Sequence, residues 1–172
     1  MKHLLILIAS VFLISCGATV NYDYDTKTDF SVYKTYNFYP EIDSGVSELD
    51  NSRIIKVTDS VLQLRGFLKS ETPDFLINFF AKEFITQSST SIGIGVGGGG
   101  HNGSVGVSGG VPIGGDEINQ TLTIDFIDNK ADNLFWQAVG SDELKVKASS
   151  VQKDAYYFKL ISKIMSGFPP EK

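Results

Sequence analysis

The stretch QTLTIDFIDNKADNLFWQAVGSD, residues 120–142, decides the fold. Leu122, Ile124 and Phe126 alternate with Thr123 and Asp125, the period of a strand with one dry face and one wet face. Asn129, Lys130, Ala131 and Asp132 then carry a turn, and NLFWQAVGSD runs back, so the segment predicts an antiparallel hairpin. A hairpin with one apolar face is not stable alone in water. The rest of the chain must supply a cover for that face.

Two segments have the pattern to do so. Around residues 52–65, Ile54, Val57, Val61 and Leu64, flanked by Ile55 and Leu62, recur at three and four residues. Asp50, Asn51 and Ser52 are candidate caps for a helix starting near Ser52, after a polar loop EIDSGVSELDNS, and Gly66 suits its C′ position. A second helix is predicted over about Ser150 to Ser166. Its stripe is Val151, Ala155, Phe158, Ile161 and Met165 with Tyr157 and Ile164 beside it, Lys159 and Lys163 suit its C-terminal half, and Gly167 and Pro169 stop it.

Between the first helix and the hairpin lies PDFLINFFAKEFITQ. Phe75, Leu76, Ile77, Phe79 and Phe80 form a nearly continuous β-favouring run, the pattern of a central strand covered on both faces. Near the N-terminus, strands are predicted around Val20 to Tyr24 and Thr35 to Tyr39, with a turn over Asp25 to Asp29 and Pro40 as the stop. Two helices are too few to cover both faces of one sheet. The expected architecture is therefore α+β: a two-layer sandwich, a mainly antiparallel sheet with both helices on one face and a glycine-rich hairpin or loop inserted.

The chain has one cysteine, and it sits in FLISCGATV, residues 12–20. With no second cysteine there is no intramolecular disulfide, and His3 and His101 form no ligand-spaced cluster with it. Upstream, Lys2 precedes an apolar run from Leu4 to Ile14, about 11 residues against the roughly 20 of a spanning helix, which fits a secretory leader. Leu13, Ile14, Ser15 and Cys16 resemble the lipobox of bacterial lipoproteins, in which a diacylglyceryl group is attached to the cysteine sulfur and cleavage then leaves the cysteine as the acylated first residue. On that reading residues 1–15 are signal peptide, 16–19 a lipidated tether and 20–170 a single α+β domain with residues 93–115 inserted. Two or more acyl chains on one residue make a stable anchor where one does not.

Composition narrows the function. The chain carries 15 Lys and Arg against 20 Asp and Glu, a net charge of −5, and shedding Lys2 makes it more acidic. A surface of that sign has no basic stripe for a phosphate backbone, so nucleic acid is not expected as a partner, and adhesion to anionic lipid is not expected either. Attachment to a membrane rests on Cys16. The 12 Phe, 7 Tyr and one Trp are read first as the filling of a small core and second as a ligand platform. No pattern in the chain specifies an oligomeric state.

The tract SSTSIGIGVGGGGHNGSVGVSGGVPIGGDE formally contains G-x-G-x-x-G at Gly93, Gly95 and Gly98, but no helix pattern follows to meet a pyrophosphate, so nucleotide binding is not expected. Ile92, Ile94 and Val96 on one side of HNG, and Val105, Val107 and Val111 on the other, alternate mainly with glycine and serine, and Asn102-Gly103 is a favoured hairpin turn. This tract is either a hairpin whose bare edges pair with a partner strand or a neutral loop. The acids Asp125, Asp128 and Asp132 are read as solvated turn residues; their spacing is too sparse for a calcium loop. His101, the one histidine outside the leader, lies in the glycine tract, where a catalytic triad could not be preorganised. Neither a metal nor a cofactor is expected apart from the covalent lipid on Cys16, and no enzyme activity.

The spaced pieces YDYDTKTDFSVYKTYNF, LQLRGF, PDFLINF, the glycine-rich tract, LTIDFIDNKADNLFWQAVG and IMSGFPP together resemble the bacterial lipoprotein family catalogued as domain of unknown function 4136. The resemblance covers nearly all of the mature chain. It implies a lipid-anchored envelope protein with an α+β domain and no established activity, and it transfers one functional residue, Cys16, as the lipid attachment point. In many lipoproteins an aspartate after the cysteine favours the inner membrane; Gly17 here points to the outer membrane, facing the periplasm. The expected function is a non-catalytic domain that binds another envelope component. The alternative is a small-ligand or glycan binder that uses exposed aromatics, and a contiguous patch of solvent-facing rings would favour it.

Overall fold

The computed structural model describes residues 18–86, 91–94, 109–112 and 115–170. The leader, Cys16 and, in the glycine tract, Val96, Asn102, Gly103, Val105 and Val107 lie outside the described residues. In chain order the elements are β1 (Thr19–Tyr24), a 3-10 turn (Phe30–Val32), β2 (Thr35–Phe38), α1 (Glu48–Leu64), β3 (Leu68–Lys69), β4 (Phe75–Thr86), β5 (Ser91–Ile94), β6 (Gly109–Pro112), β7 (Glu117–Asp128), β8 (Leu134–Lys145) and α2 (Ser150–Met165).

Six strands form one open sheet in the order β1-β8-β7-β4-β2-β3. β2 runs parallel to both β3 and β4, while the β4/β7, β7/β8 and β1/β8 pairs are antiparallel. Both helices lie on one face. Tyr36 of β2 donates its hydroxyl to Asp59 of α1 at 2.9 Å, and a Cβ on Gly140 of β8 would meet Ile164 and Leu160 of α2 at 2.6 and 3.0 Å. The expected α+β sandwich is the observed one.

The core is the layer between. Phe75, Ile77 and Phe79 of β4, Leu122, Ile124 and Phe126 of β7, and Trp136 and Ala138 of β8 meet Ile54 and Leu62 of α1 and Leu160, Ile161 and Ile164 of α2, all fully buried. One irregularity builds its aromatic centre. Phe126 pairs with Trp136 but Ile127 pairs with Leu134, so Phe135 is an extra residue in β8. This bulge suspends the alternation and buries the neighbours Phe135 and Trp136 together.

The helices are held side by side at both ends. Near their N-termini, Asp50 of α1 accepts from Lys153 of α2 at 2.7 Å and from Arg53 at 2.9 Å, and Arg53 also reaches Asp154 at 2.7 Å. Burial works to raise the Asp50 carboxyl, but Lys153, Ser47 and Arg53 outweigh it and hold it below its ordinary value. At the far ends, Arg65 donates to the carbonyls of Met165 and Phe168. Gly66 follows at φ +89°, the left-handed C′ conformation its sequence position predicts.

Four expectations need correction. α1 starts at Glu48, four residues early, because Ser47 is the cap and accepts from the Asp50 amide. Its buried face is Asp50, Ile54, Thr58, Val61 and Leu62, whereas Leu64 is 85% exposed. β4 is covered on one face only: Phe75, Ile77, Phe79 and Ala81 are buried, while Leu76 and Asn78 are half-buried and Phe80 is exposed. In α2 the buried residues are Tyr156, Tyr157, Leu160, Ile161, Ile164 and Met165, so Val151, Ala155 and Phe158 face solvent. Contact with α1 through Lys153 and Asp154 fixes that rotation.

Candidate functional site

The face of the sheet opposite the helices has no covering element among the described residues. Strand alternation decides what it presents. On β7 the residues between the core positions are Thr121, Thr123 and Asp125; on β4 they are Asn78, Phe80 and Lys82; on β8 they are Gln137, Val139 and Ser141; and on β1 they are Thr19, Asn21 and Asp23.

Register aligns these into rows. Asp23 stands opposite Gln137, Gln137 opposite Asp125, and Asp125 opposite Asn78. The next row is Asn21, Val139, Thr123 and Phe80, and the one after it Thr19, Ser141, Thr121 and Lys82. Thr121 and Ser141 share a hydrogen bond between hydroxyls at 3.0 Å. Beyond them, Thr19, Asn119, Gln120, Thr121 and Ser141, together with the acids Asp142 and Glu143, line a cavity of ≈ 350 Å³. The surface is mainly hydroxyls and amides, with Phe80 and Val139 in its middle row and, among the described residues, an excess of carboxylates over the one cation, Lys82.

Of its charged groups, Asp23, Lys82 and Asp125, the last is the most enclosed. The carboxylate is half-buried and accepts one hydrogen bond, from Gln137 Nε2 at 2.7 Å, with no cation beside it. Burial raises its pKa above the ordinary aspartate value, and the Gln137 bond offsets this only in part. Its ionised form is therefore a liability to the fold, absent below the unfolded pKa of about 3.9 and fully present once pH has risen through the native value. Asp125→Asn is expected to raise the melting temperature by a few degrees at pH 7 and to change nothing at pH 3. Thermal melts of both chains at the two pH values check this; an equal gain at both would assign it to something other than charge. A carboxylate kept at such a cost on an uncovered surface is an acceptor open to a partner's N–H or O–H.

Its two sequence neighbours are used differently. Asp128 closes the β7–β8 turn, accepting from the amides of Lys130 and Ala131 at 2.8 and 2.7 Å and from the Tyr33 hydroxyl at 2.8 Å. Asp132 holds φ 53° in that turn. The three acids are thus not a set of solvated turn residues, since Asp125 belongs to the sheet face. Alternation marked Thr123 and Asp125 as wet, but Thr123 is buried between its cross-strand neighbours Val139 and Phe80 and Asp125 is half-buried; the partners across the sheet follow only from strand order.

Within the glycine tract, β5 and β6 form a separate two-stranded antiparallel sheet. Thr86 pairs with Glu117, and five residues further along one strand and five back along the other Ser91 pairs with Pro112, so β5 and β6 keep the register of β4 and β7. Ile92 lies opposite Val111 and Ile94 opposite Gly109. Of the residues singled out for partner binding, these two are placed in β5. Among the described residues, no group of three or more His, Cys, Asp or Glu is placed to hold a metal ion, and no helix is long and apolar enough to cross a membrane.

The aromatic side chains are mostly internal. Tyr22 and Tyr24 on β1, Phe80 and Phe84 on β4 and Phe158 on α2 are exposed, on three separate elements. Tyr22 is moreover committed inward, donating its hydroxyl to the Lys163 carbonyl at 2.9 Å.

Residues 20–170 match the family model described as domain of unknown function (DUF4136). Among solved structures, a PDZ domain protein from Parabacteroides distasonis is similar with a TM-score of 0.58 and 17% identity, over 99% of this chain and 41% of that one. This chain therefore spans about two-fifths of that protein's length. The PelC dodecamer from Paraburkholderia phytofirmans is similar with a TM-score of 0.54 and 12% identity, over 90% of this chain and 99% of that one. A DUF4136 family protein from Bacteroides thetaiotaomicron is similar with a TM-score of 0.50 and 13% identity, over 88% and 97%. At these identities the likeness is one of fold. No curated protein matches the sequence.

Proposed function

The chain belongs to the DUF4136 family, and from that premise we propose that it is a lipid-anchored lipoprotein of the bacterial cell envelope, seated at the outer membrane and facing the periplasm, whose non-catalytic domain binds another envelope component. The uncovered sheet face carries the partner reading. It holds aligned amide and hydroxyl rows with the half-buried Asp125 carboxylate, which accepts a hydrogen bond from Gln137. Scattered exposed rings support a protein partner over the glycan alternative, which calls for a contiguous aromatic platform.

The anchor reading is supported by the leader pattern, Leu13-Ile14-Ser15-Cys16, and by where the fold begins. β1 starts at Thr19, and three residue steps span at most about 11 Å. Acyl chains on Cys16 would hold the first strand against the bilayer, with the domain close above it.

Two measurements test the proposal separately. Mass spectrometry of the native protein is expected to find cleavage before Cys16 and a diacylglyceryl group on its sulfur, and Cys16→Ser is expected to move nearly all of the protein out of the membrane fraction. An intact leader or a free thiol overturns the anchor. Crosslinking in intact cells is expected to give a heterologous adduct with the full chain that is lost when residues 93–115 are deleted. Unchanged recovery of that adduct removes the hairpin from the interface.

A further inference from the structure

β1 is one of the two outermost strands, and among the described residues no strand pairs with its outer edge, which can be read group by group. The Asp25 amide donates to the Phe135 carbonyl at 3.1 Å, one step past the Tyr24/Trp136 pair. Hydrogen-bonded pairs in an antiparallel ladder recur every second residue. Thr19, Asn21 and Asp23 are therefore bonded to β8, and the N–H and C=O of Val20, Tyr22 and Tyr24 point away from the sheet. From the helix layer, Lys163 reaches main chain here only at the Ala18 carbonyl, before the strand begins. Sheets usually blunt such an edge with proline, an inward-pointing charge or a bulge, and TVNYDY has none of these. The opposite edge, β3, is blunted by being two residues long.

We propose that this edge pairs antiparallel with β1 of a second copy of the chain, joining two sheets across a two-fold axis. The strand is complementary to itself. Aligned about Tyr22, Val20 falls opposite Tyr24 and Tyr22 opposite its own copy, so all three outward residues find partners. On the uncovered face Asn21 falls opposite Asp23, an amide donor against a carboxylate, at both ends of the pairing. Alignment about Asp23 sets the two carboxylates against each other, which is unfavourable. Alignment about Asn21 uses Ala18 in place of one outward residue, and its carbonyl is already taken by Lys163. A two-residue edge at β3 cannot propagate the sheet, so assembly through β1 stops at two copies.

Strand addition of this length buries less than a standard interface, so the pair is weak in dilute solution. Confinement in one bilayer raises the effective concentration of each copy for the other. The pairing does not depend on the anchor. Lipidation of Cys16 alters how much dimer forms, not which residues meet.

The test uses the full-length chain in membranes. Opposed residues of a non-hydrogen-bonded pair have Cα atoms about 4.5 Å apart, within disulfide reach. Differently tagged Asn21→Cys and Asp23→Cys chains, co-expressed and mildly oxidised, are expected to form a mixed disulfide well above either variant alone and above wild type. Sedimentation in detergent reads the same contact through charge. Asn21→Asp places acid opposite acid twice and is expected to weaken the dimer about tenfold, while Asn21→Lys, facing Asp23, strengthens it by a similar factor. Asn21 and Asp23 are exposed, so both charge variants should keep the wild-type circular dichroism. Equal effects of Asp and Lys, a disulfide no greater than background, or a cysteine adduct with a different envelope protein in place of the second copy would each overturn the proposal.

Discussion

Phe75→Ala is expected to lower the unfolding free energy by about 3–5 kcal/mol, the range for removing a fully buried aromatic ring. Phe75 has no solvent exposure and stands at the start of β4, where β2, β7 and the C-terminal tail converge. Its ring centroid lies 4.9 Å from that of Phe126, 5.8 Å from those of Tyr33 and Phe135, and 6.0 Å from those of Phe67 and Phe168. Each of these rings comes from a different part of the chain, so the cavity left by alanine cannot collapse by moving one element. Phe84, nine residues further along the same strand, is 65% exposed, and its change to alanine is expected to stay within about 0.5 kcal/mol. Urea denaturation of both variants measures the contrast. A Phe75 variant no less stable than the Phe84 variant would mean that this cluster is not the centre of the core.

The same residues show what can be read from sequence. Leu122, Ile124 and Phe126 alternate cleanly, and their strand, its partner and its dry face are where the pattern puts them. Phe135 and Trp136 could not be read, because alternation sends neighbours to opposite faces and only the bulge brings both inside. α1 carries its start signal in plain view, Ser47 three residues before Asp50, but a polar stretch hides a cap that sits before the apolar repeat. α2 offers two overlapping apolar stripes, and the choice between them belongs to α1, a tertiary fact. The row Asp23, Gln137, Asp125 and Asn78 joins four strands, of which only β7 and β8 are neighbours in the chain. No local pattern could assemble it.

The family-like segments have a structural use. LQLRGF and IMSGFPP meet where Arg65 caps the carbonyls of Met165 and Phe168, and Phe168 itself is buried against Phe126 at 4.6 Å. YKTYNF and PDFLINF meet at Asp74.

Asp74→Ala is expected to cost about 2–3 kcal/mol, the scale of losing charge-assisted hydrogen bonds to one partly buried carboxylate. Its Oδ2 accepts from the Lys34 amide, the Thr35 amide and the Thr35 hydroxyl, each at 2.9 Å, and its own amide donates back to the Thr35 carbonyl at 3.0 Å. The next pair in the ladder is Tyr36 with Phe75, so the clamp sets the register of the parallel β2/β4 pair at its first step. Parallel strands have no connecting turn to hold them, and four residues of β2 supply few ladder bonds. The Lys34 amide, working against burial and helped by Thr35, holds the Asp74 carboxyl below its ordinary pKa. A lowered native pKa fixes the sign: the stabilisation is present above the unfolded value of about 3.9 and is lost as pH falls through the native one. The gap between wild type and Asp74→Ala, measured by urea denaturation, should be constant from pH 7 to pH 5 and shrink by pH 2. Asp74→Asn, which retains an oxygen acceptor without the charge, should fall between the two at pH 7. A gap undiminished at pH 2 would assign the loss to packing, and the register of β2 would then have to be held by the ladder pairs from Tyr36 with Phe75 to Phe38 with Ile77.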